Sequence, residues 1–375
     1  MRITIVQGAF MPVPPILGTS VEKIWFALGK EFVRRGHQVT HISREHVELK
    51  REEYVEGVHH IRIPGFDVPS SLVRLKWRDL RYSRRAVRML PEADILVTNT
   101  FWLPVLAPTA ARGKIYVHIA RYPRGQMKFY RKAARLQTVS TVIRNAICKQ
   151  APALTPKVKV IPNFVPRSGP LAADENREKC FLYVGRLHPE KGVHLLIEAF
   201  RQLLCAGLKD WKLRLVGPWE VAHGGGGMSY FQSLRTKTEG IENFVEWVGP
   251  VFDPERLSAY YQQSSVFVYP SLAGKREASP LAPLEAMAGG CPTVVSSLEC
   301  FRDYLRPGRN GWTFDENSRD KTAELAATLR SVMSDSGMLR RVREGAVQTA
   351  QHYTLSNVAD LYLNDFQELL CERFV

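Results

Sequence analysis

Residues 180–192 run Cys180-Phe-Leu-Tyr-Val-Gly-Arg-Leu-His-Pro-Glu-Lys-Gly192, and an apolar helical pattern follows them to residue 206. The first five residues are typical of a short buried strand, so the stretch predicts a strand, a turn and a helix. Arg186 and Lys191 lie on the predicted turn, at the carboxyl edge of a parallel sheet. A lysine point charge and an arginine fork can together hold a diphosphate. The alternative is ordinary loop charge, with Glu190 as a local partner.

Two glutamates form a second candidate site in the segment Glu277-Ala-Ser-Pro-Leu-Ala-Pro-Leu-Glu285, which follows a strand pattern at 266–269. Proline is tolerated at the start of a helix, so Pro280 and Pro283 predict that Glu277 lies in a loop and Glu285 in the first turns of a helix. The free N–H groups at such a helix start favour an anion, and the two carboxylates can hold hydroxyls. The alternative is a solvated Glu277 and a Glu285 that only complements the helix dipole.

The rest of the chain repeats this alternation of strand and helix patterns, which predicts parallel sheets covered by helices. Its 375 residues exceed one ordinary domain and suit two. A proline-rich and polar stretch separates the two halves. We therefore predict an α/β protein with a Rossmann-like domain at 1–165, a hinge linker at 166–178 and a second Rossmann-like domain at 179–354.

A run of four glycines, Gly224–Gly227, interrupts the second predicted domain. A flexible surface loop is the preferred interpretation, and a phosphate cradle is the alternative. Neither of the glycine-rich phosphate motifs, GxGxxG or GxxxxGK[ST], occurs in the chain.

The net charge of +15 is concentrated in the first half of the chain. Residues 1–165 contain 28 lysines and arginines against 11 aspartates and glutamates, whereas residues 166–375 contain 24 against 26. Such a field attracts an anionic bilayer, a phosphorylated or acidic substrate, or nucleic acid, while a merely solvated surface is the plain alternative.

One group of cations at 74–88 alternates with large apolar side chains such as Trp77 and Leu80. Its members are Arg74, Lys76, Arg78, Arg81, Arg84, Arg85 and Arg88. This pattern suits a membrane surface, so we expect peripheral attachment to the anionic inner face of the cytoplasmic membrane. Neither an aromatic RNA-binding signature nor a helix-turn-helix pattern is present, so nucleic acid is not expected as a partner.

The six cysteines are scattered and form no CxxC pair. A zinc site or a disulfide framework is therefore not expected, and a reducing cytoplasm is the simplest compartment. No uncharged apolar stretch approaches the roughly 18 residues of a membrane helix, and the first six residues are expected to form a strand rather than a signal peptide.

Five segments spread along the chain resemble the GT-B-fold retaining glycosyltransferases of family 4. Residues 183–192 resemble the family's G-R-x-x-x-x-K-G turn, and Glu277…Glu285 matches its E-x7-E signature. The other three are Arg35-Gly-His-Gln-Val-Thr40, Leu136-Gln-Thr-Val-Ser140 and Val160-Ile-Pro-Asn163. The resemblance implies two Rossmann-like domains that face each other across a cleft, with a C-terminal helix at 355–375 that returns to the first domain.

In the second domain, the resemblance assigns roles to both candidate segments. Arg186 and Lys191 would neutralise the donor diphosphate, and Glu285 would hold the donor ribose. Glu277 would act at the reacting centre by orienting the hydroxyls of the transferred sugar. The family often has Gly-Phe-Gly-Leu after the first glutamate, whereas Pro280 here has no N–H group. The backbone at Leu281 and Ala282 is therefore expected to approach the phosphate.

In the first domain, the resemblance points to three residues near the reacting centre. His118 ends a predicted strand and matches a family histidine beside the transferred sugar. Gly18 and Thr19 stand where the family usually has two adjacent glycines, in a loop that approaches the reacting centre.

The resemblance implies hexosyl transfer, with retention, from a nucleotide diphosphate donor, for which we expect UDP, to a saccharide or lipid-linked acceptor bound by the first domain. Cell-envelope polysaccharide, lipopolysaccharide or glycolipid assembly would use such a step. The chain has no Asp-x-Asp, so we expect neither a metal nor a cofactor. The alternatives are a non-catalytic basic module for nucleic acid or membranes, and a nucleotide-sugar epimerase of the same fold.

Overall fold

The computed structural model describes residues 1–16, 20–108, 112–165 and 177–371. It divides the chain into two compact units. Unit 1 comprises Met1–Phe164 together with Leu355–Val375, and unit 2 comprises Val165–Thr354. Each unit is a sheet covered by helices, which confirms the predicted α/β class.

The strands and helices follow one another along the chain as the alternation predicted. The strands are β1 (Arg2–Val6), β2 (Gln38–Arg44), β3 (Glu52–Val55), β4 (Val58–Ile63), β5 (Ile95–Thr98), β6 (Lys114–Ile119), β7 (Arg135–Thr138), β8 (Val158–Val160), β9 (Glu178–Val184), β10 (Lys212–Val216), β11 (Val245–Gly249), β12 (Ser264–Tyr269), β13 (Thr293–Ser296) and β14 (Gly311–Phe314). The helices are α1 (Ser20–Arg34), α2 (Leu72–Met89), α3 (Leu103–Leu106), α4 (Thr141–Gln150), α5 (Val193–Cys205), α6 (Gly227–Lys237), α7 (Pro254–Gln263), α8 (Leu281–Ala288), α9 (Lys321–Ser334), α10 (Ser336–Gln351) and α11 (Leu355–Cys371).

The sheet of unit 1 has eight strands in the order β3-β4-β2-β1-β5-β6-β7-β8. Its neighbouring strands are parallel, except for the antiparallel hairpin of β3 and β4. The chain builds outward from β1 through β2 and then restarts on the other side of β1 with β5. In such sheets, ligands bind beyond the carboxyl ends of the strands, at the point where the order reverses.

Helix α11 packs on the sheet of unit 1 beside α1. Trp25 of α1 and Tyr362 and Phe366 of α11 are buried in one apolar cluster. The buried carboxylate of Asp365 accepts a hydrogen bond from the Tyr116 hydroxyl at 2.7 Å. This confirms that the C-terminal helix returns to the first unit.

The sheet of unit 2 has six parallel strands in the order β11-β10-β9-β12-β13-β14. Here the order reverses at β9, because β10 lies on one side of it and β12 on the other. The turn after β9 and the loop after β12 therefore leave the same edge of the sheet side by side.

The predicted hinge linker is described only at its end, since residues 166–176 lie outside the described residues. Arg177 is buried and donates hydrogen bonds to the carbonyl oxygens of Tyr261, Ser264 and Gly289 at 2.9–3.2 Å. Glu178 is the first residue of β9. These two residues thus pack with unit 2.

Helix α2 and strand β3 are among the elements that have no counterpart in the sequence prediction. Helix α2 coincides with the cation cluster at 74–88, where dense charge hides the apolar spacing that would predict a helix. Strand β3 is a short edge strand with alternating exposed and half-buried residues, and it pairs only through its hairpin with β4.

Candidate functional site

The reversal in unit 2 brings the two candidate segments together, as the sequence predicted. Gly192 ends the turn after β9, and a Cβ atom there would lie 2.0 Å from the carbonyl oxygen of Pro270 in the loop after β12. Gly192 also has a φ of +70°, so both its backbone conformation and this close approach require glycine. The Leu272 N–H donates to the Glu190 carbonyl oxygen at 2.7 Å. The turn and the loop therefore form one structural unit.

Lys191 and Glu277 form a buried ion pair at the centre of this unit. Lys191 Nζ lies 2.6 Å from Glu277 Oε2, and only 7% and 6% of the two residues are exposed. The Ser271 hydroxyl donates to the same carboxylate oxygen at 2.6 Å. The alternative of a solvated Glu277 is therefore wrong, because a cation and a hydroxyl stabilise its carboxylate inside the protein.

Arg186 lies on the same turn, and both terminal nitrogens of its guanidinium donate hydrogen bonds within the protein. Its Nη2 donates to Glu190 Oε1 at 3.0 Å, and its Nη1 donates to the Gly224 carbonyl oxygen at 2.5 Å. Glu190 is therefore a local partner of Arg186, as one interpretation of the sequence predicted. Nevertheless, 41% of the Arg186 side chain is exposed, so it has room to contact a ligand.

Arg276 is a third cation at this site, which the sequence reasoning missed. Its Nη1 lies 3.1 Å from Glu190 Oε2, so Glu190 bridges two arginines. Burial opposes ionisation of Glu190, but the charges of Arg276 and His188 and the hydrogen bond from Arg186 hold the pKa of its carboxyl below the usual range. Its position directly before Glu277 is the sequence feature that could have indicated Arg276 as part of the site.

Helix α8 begins where the two prolines predicted. Leu281 and Ala282 are its first two residues, so their N–H groups have no acceptor within the helix and mark its positive end. Glu285 lies in the second turn and accepts a hydrogen bond from the Tyr261 hydroxyl at 3.0 Å. The helix start can therefore contact an anion, while Glu285 is held by a neighbouring helix.

The glycine run is not a free surface loop, so the preferred interpretation of Gly224–Gly227 was wrong. Gly225 is buried, and a Cβ atom on it would lie 2.2 Å from the carbonyl carbon of Trp219. Four successive residues without side chains let this segment pack directly on the backbone beside Arg186.

In unit 1, His118 is a buried neutral histidine near the end of β6. Its Nδ1 lies 2.5 Å from Gln137 Oε1, and Gln137 Nε2 donates to two backbone carbonyl groups. Nδ1 therefore carries the proton, and within the described ranges Nε2 has no hydrogen-bond partner. Burial lowers the pKa of His118 to about 4. Its role near the transferred sugar stays a prediction, and Gly18 and Thr19 lie outside the described residues.

The cation cluster lies on α2 and has two kinds of members. Arg78 and Arg85 are half-buried and donate to the carbonyl oxygens of Asp67 and Pro64, each at 2.7 Å. The exposed members are Arg74, Lys76, Arg81, Arg84 and Arg88. Trp77 is 58% exposed, and the Arg81 guanidinium lies 5.0 Å from its ring centroid.

Two kinds of feature are absent from residues 1–16, 20–108, 112–165 and 177–371. Among those residues, no helix has the length and apolarity that crossing a membrane requires. Nor do they contain a group of three or more His, Cys, Asp or Glu side chains that could hold a metal ion.

Comparison with known proteins gives matches in both halves of the chain. The family model described as glycosyltransferase family 4 matches residues 21–168, and the one described as glycosyl transferases group 1 matches residues 172–349. A similar curated protein is WcaL of Salmonella typhimurium, named as a colanic acid biosynthesis glycosyltransferase. It is 31% identical over 174 residues, which cover 44% of this chain and 40% of WcaL. The match thus spans less than half of that relative.

Solved structures share the fold at low sequence identity. Sucrose-phosphate synthase from Thermosynechococcus elongatus aligns with a TM-score of 0.79 and 17% identity, covering 99% of this chain and 100% of that one. HepE of Anabaena in complex with UDP aligns with a TM-score of 0.70 and 18% identity, covering 98% and 100%. With the two family models matching successive halves, the chain belongs to the GT4-type GT-B glycosyltransferases.

Proposed function

We propose that this chain transfers a sugar from a nucleotide diphosphate donor to a saccharide or lipid-linked acceptor during assembly of a cell-envelope polysaccharide, lipopolysaccharide or glycolipid. One observation carries the proposal. Arg186, Lys191 and the start of α8 follow two adjacent strands of unit 2, together with Glu277 and Glu285.

The site suits the charge that develops in such a reaction. When the bond from the sugar to the diphosphate breaks, negative charge builds up on the leaving phosphate, and preorganised cations stabilise it. Lys191 carries three N–H donors, so it can keep its bond to Glu277 and still donate to a phosphate oxygen. Arg186 and the N–H groups of Leu281 and Ala282 add further donors.

The carboxylates of Glu277 and Glu285 would bind hydroxyl groups of the donor rather than its phosphates. Glu277 already accepts hydrogen bonds from Lys191 and Ser271, and a carboxylate can accept further bonds from sugar hydroxyls. Glu285 would bind the donor ribose in the same way. With both carboxylates binding hydroxyls, transfer would proceed without the acid–base pair of a glycosidase. In keeping with the family, we propose retention of the anomeric configuration, which NMR of the first-formed product reads directly.

Two similar proteins support the choice of donor nucleotide and of biosynthetic pathway in this proposal. HepE, a structural neighbour, was solved with UDP, so we propose a UDP-sugar as the donor. WcaL is named for colanic acid biosynthesis, which agrees with a role in polysaccharide assembly.

Calorimetry with UDP, GDP, ADP and dTDP tests the donor site in the wild type and in the variants Glu285→Ala and Lys191→Ala. We expect one nucleotide, UDP, to bind and to lose most of its affinity in both variants. If no diphosphate binds to the folded wild type, the basic binding module becomes the better interpretation.

We further propose that unit 1 attaches to an anionic membrane surface through α2. The exposed arginines of that helix accompany Val73 and Trp77, which are 78% and 58% exposed. Cations flanking exposed apolar side chains bind anionic headgroups while the apolar groups enter the interface. An acceptor linked to a lipid would be presented at the same surface.

A further inference from the structure

The orientation of Arg186 depends on a backbone carbonyl group of the glycine run. An exposed arginine side chain is ordinarily mobile and loses rotamer entropy when it is fixed. In this chain the Gly224 carbonyl oxygen accepts from Nη1 at 2.5 Å and Glu190 accepts from Nη2 at 3.0 Å. Acceptors on both terminal nitrogens fix the plane of the guanidinium before any ligand binds.

The glycine run is tied to the same turn by its own backbone. The Gly226 N–H donates to the carbonyl oxygen of Leu187, the residue after Arg186, at 2.8 Å. The Gly227 N–H donates to the Trp219 carbonyl oxygen, also at 2.8 Å. The carbonyl of Gly224 is therefore held in a fixed place relative to the start of the Arg186 side chain.

Side chains would prevent this packing at successive positions. Gly224 has a φ of +78°, and its Cβ would lie 3.1 Å from Cδ and Nη1 of Arg186. A Cβ on Gly225 would overlap the Trp219 backbone, and one on Gly226 would lie 2.8 Å from the Tyr230 ring. The run therefore requires glycine for close approach as well as for backbone conformation.

We propose that Gly224–Gly227 is a positioning element for the donor diphosphate, which holds the Arg186 guanidinium in the orientation that receives phosphate oxygens. This inference rests on the proposed function, in which Arg186 binds the donor. Of the five N–H donors of an arginine, the two acceptors use two and leave the others for the ligand.

A pair of matched alanine variants tests the proposal. Gly224→Ala and Gly240→Ala introduce a side chain at nearly the same backbone angle, with φ of +78° and +79°. Only the first new Cβ meets Arg186, because nothing lies within 4 Å of the Cβ position at Gly240. We expect equal shifts of the melting temperature in the two variants. Only Gly224→Ala should weaken UDP binding, by about tenfold, the effect of losing one charge-assisted hydrogen bond.

Uridine, which lacks the diphosphate, separates positioning from structural damage. Displacement calorimetry should show unchanged uridine affinity in Gly224→Ala, because the proposal has Arg186 bind only the diphosphate, which uridine lacks. In the double variant with Arg186→Ala, the glycine substitution should have no further effect on UDP affinity.

Three outcomes would overturn the inference. They are equal UDP affinity in Gly224→Ala and Gly240→Ala, a parallel loss of uridine affinity, or additive losses with Arg186→Ala. A wild type that binds none of the four nucleoside diphosphates would instead overturn the proposed function, and this inference with it.

Discussion

At the scale of single residues, the buried Lys191–Glu277 ion pair affects both the stability of unit 2 and the proposed binding of the donor. Removing one partner of a buried ion pair leaves an uncompensated charge, whereas replacing both with apolar groups is often tolerated. We expect Lys191→Met to lower the free energy of unfolding of unit 2 by about 3 kcal/mol. The double variant Lys191→Met/Glu277→Leu should recover most of that loss while nucleotide binding stays absent.

Urea unfolding and calorimetry measure these two properties separately. If the double variant were no more stable than Lys191→Met, the buried charge would not be the cause of the loss. If it still bound UDP normally, Lys191 would not contact the diphosphate.

The residues of this site differ in how far the sequence could reveal them. Arg186, Lys191, Glu277 and Glu285 were identified because each stands in a motif next to a strand or helix boundary. The bridging by Glu190 and the contact of Arg186 with Gly224 were not predicted. The first joins the side chains of Glu190 and Arg276, and the second joins a side chain to a backbone carbonyl group. In both cases the packing of two loops sets the geometry and leaves no periodic pattern in the sequence.

At the scale of elements, two adjacent strands of unit 1 bury a histidine pair. His41 of β2 and His60 of β4 are paired residues in the sheet, and their rings stack with centroids 5.4 Å apart. Burial, followed by the charge of Arg62, lowers the pKa of His60 to about 4 against a smaller opposite effect of Glu53. Burial likewise places the pKa of His41 well below its usual range. Both rings are therefore neutral in the folded protein at pH 7.

This pair makes the stability of unit 1 dependent on pH. Both histidines take up protons near pH 6.5 when unfolded, whereas in the folded protein the pKa of His60 is about 4 and that of His41 lies well below its usual range. Stability is therefore full above pH 6.5 and decreases as the pH falls toward 4. We expect the pKa shift of His60 alone to lower the free energy of unfolding by about 2 kcal/mol between pH 7 and pH 5. Urea titrations should show a shallower slope in His60→Leu, and an unchanged slope in the control His352→Leu, an exposed position.

Helix α11 is the element that completes the core of unit 1. Phe366 is fully buried and its ring packs 4.9 Å from that of Tyr116, whereas Leu361 on the same helix is 44% exposed. We expect Phe366→Ala to cost about 3 kcal/mol or more of unfolding free energy, because it leaves a cavity, and Leu361→Ala to cost little. Equal losses in denaturant unfolding would contradict the packing of this helix described above.

The elements that the sequence predicted are those with a strong local signal. Strands β1 and β12 are apolar runs that are buried over almost their whole length, and α8 has prolines at its start. By contrast, α2 is a highly charged helix whose apolar stripe is narrow, and β3 is an edge strand. Tertiary packing rather than local pattern determines such elements.

At the scale of the whole molecule, the positive charge of residues 1–165 predicts membrane binding that depends on salt. We expect sedimentation with phosphatidylglycerol vesicles but not with phosphatidylcholine vesicles, and release at about 0.5 M NaCl, where screening is strong. Replacing Arg81, Arg84 and Arg88 with glutamine should weaken binding.

A control variant that removes three exposed arginines from unit 2 keeps the change in net charge equal. Arg302, Arg309 and Arg330 serve for this, since all three are exposed. If both triple variants lost binding equally, total charge rather than α2 would be responsible. Binding that is insensitive to salt would contradict the electrostatic proposal altogether.

The reversal of strand order at β9 also has a consequence for how the protein folds. Lys191 and Glu277 are 86 residues apart in the chain and meet only when β12 has docked beside β9. Contacts between such distant residues form late, because closing a long loop costs entropy before any contact compensates for it. Nucleotide binding during refolding should therefore appear with the slowest phase, so that only completely folded chains can bind a donor.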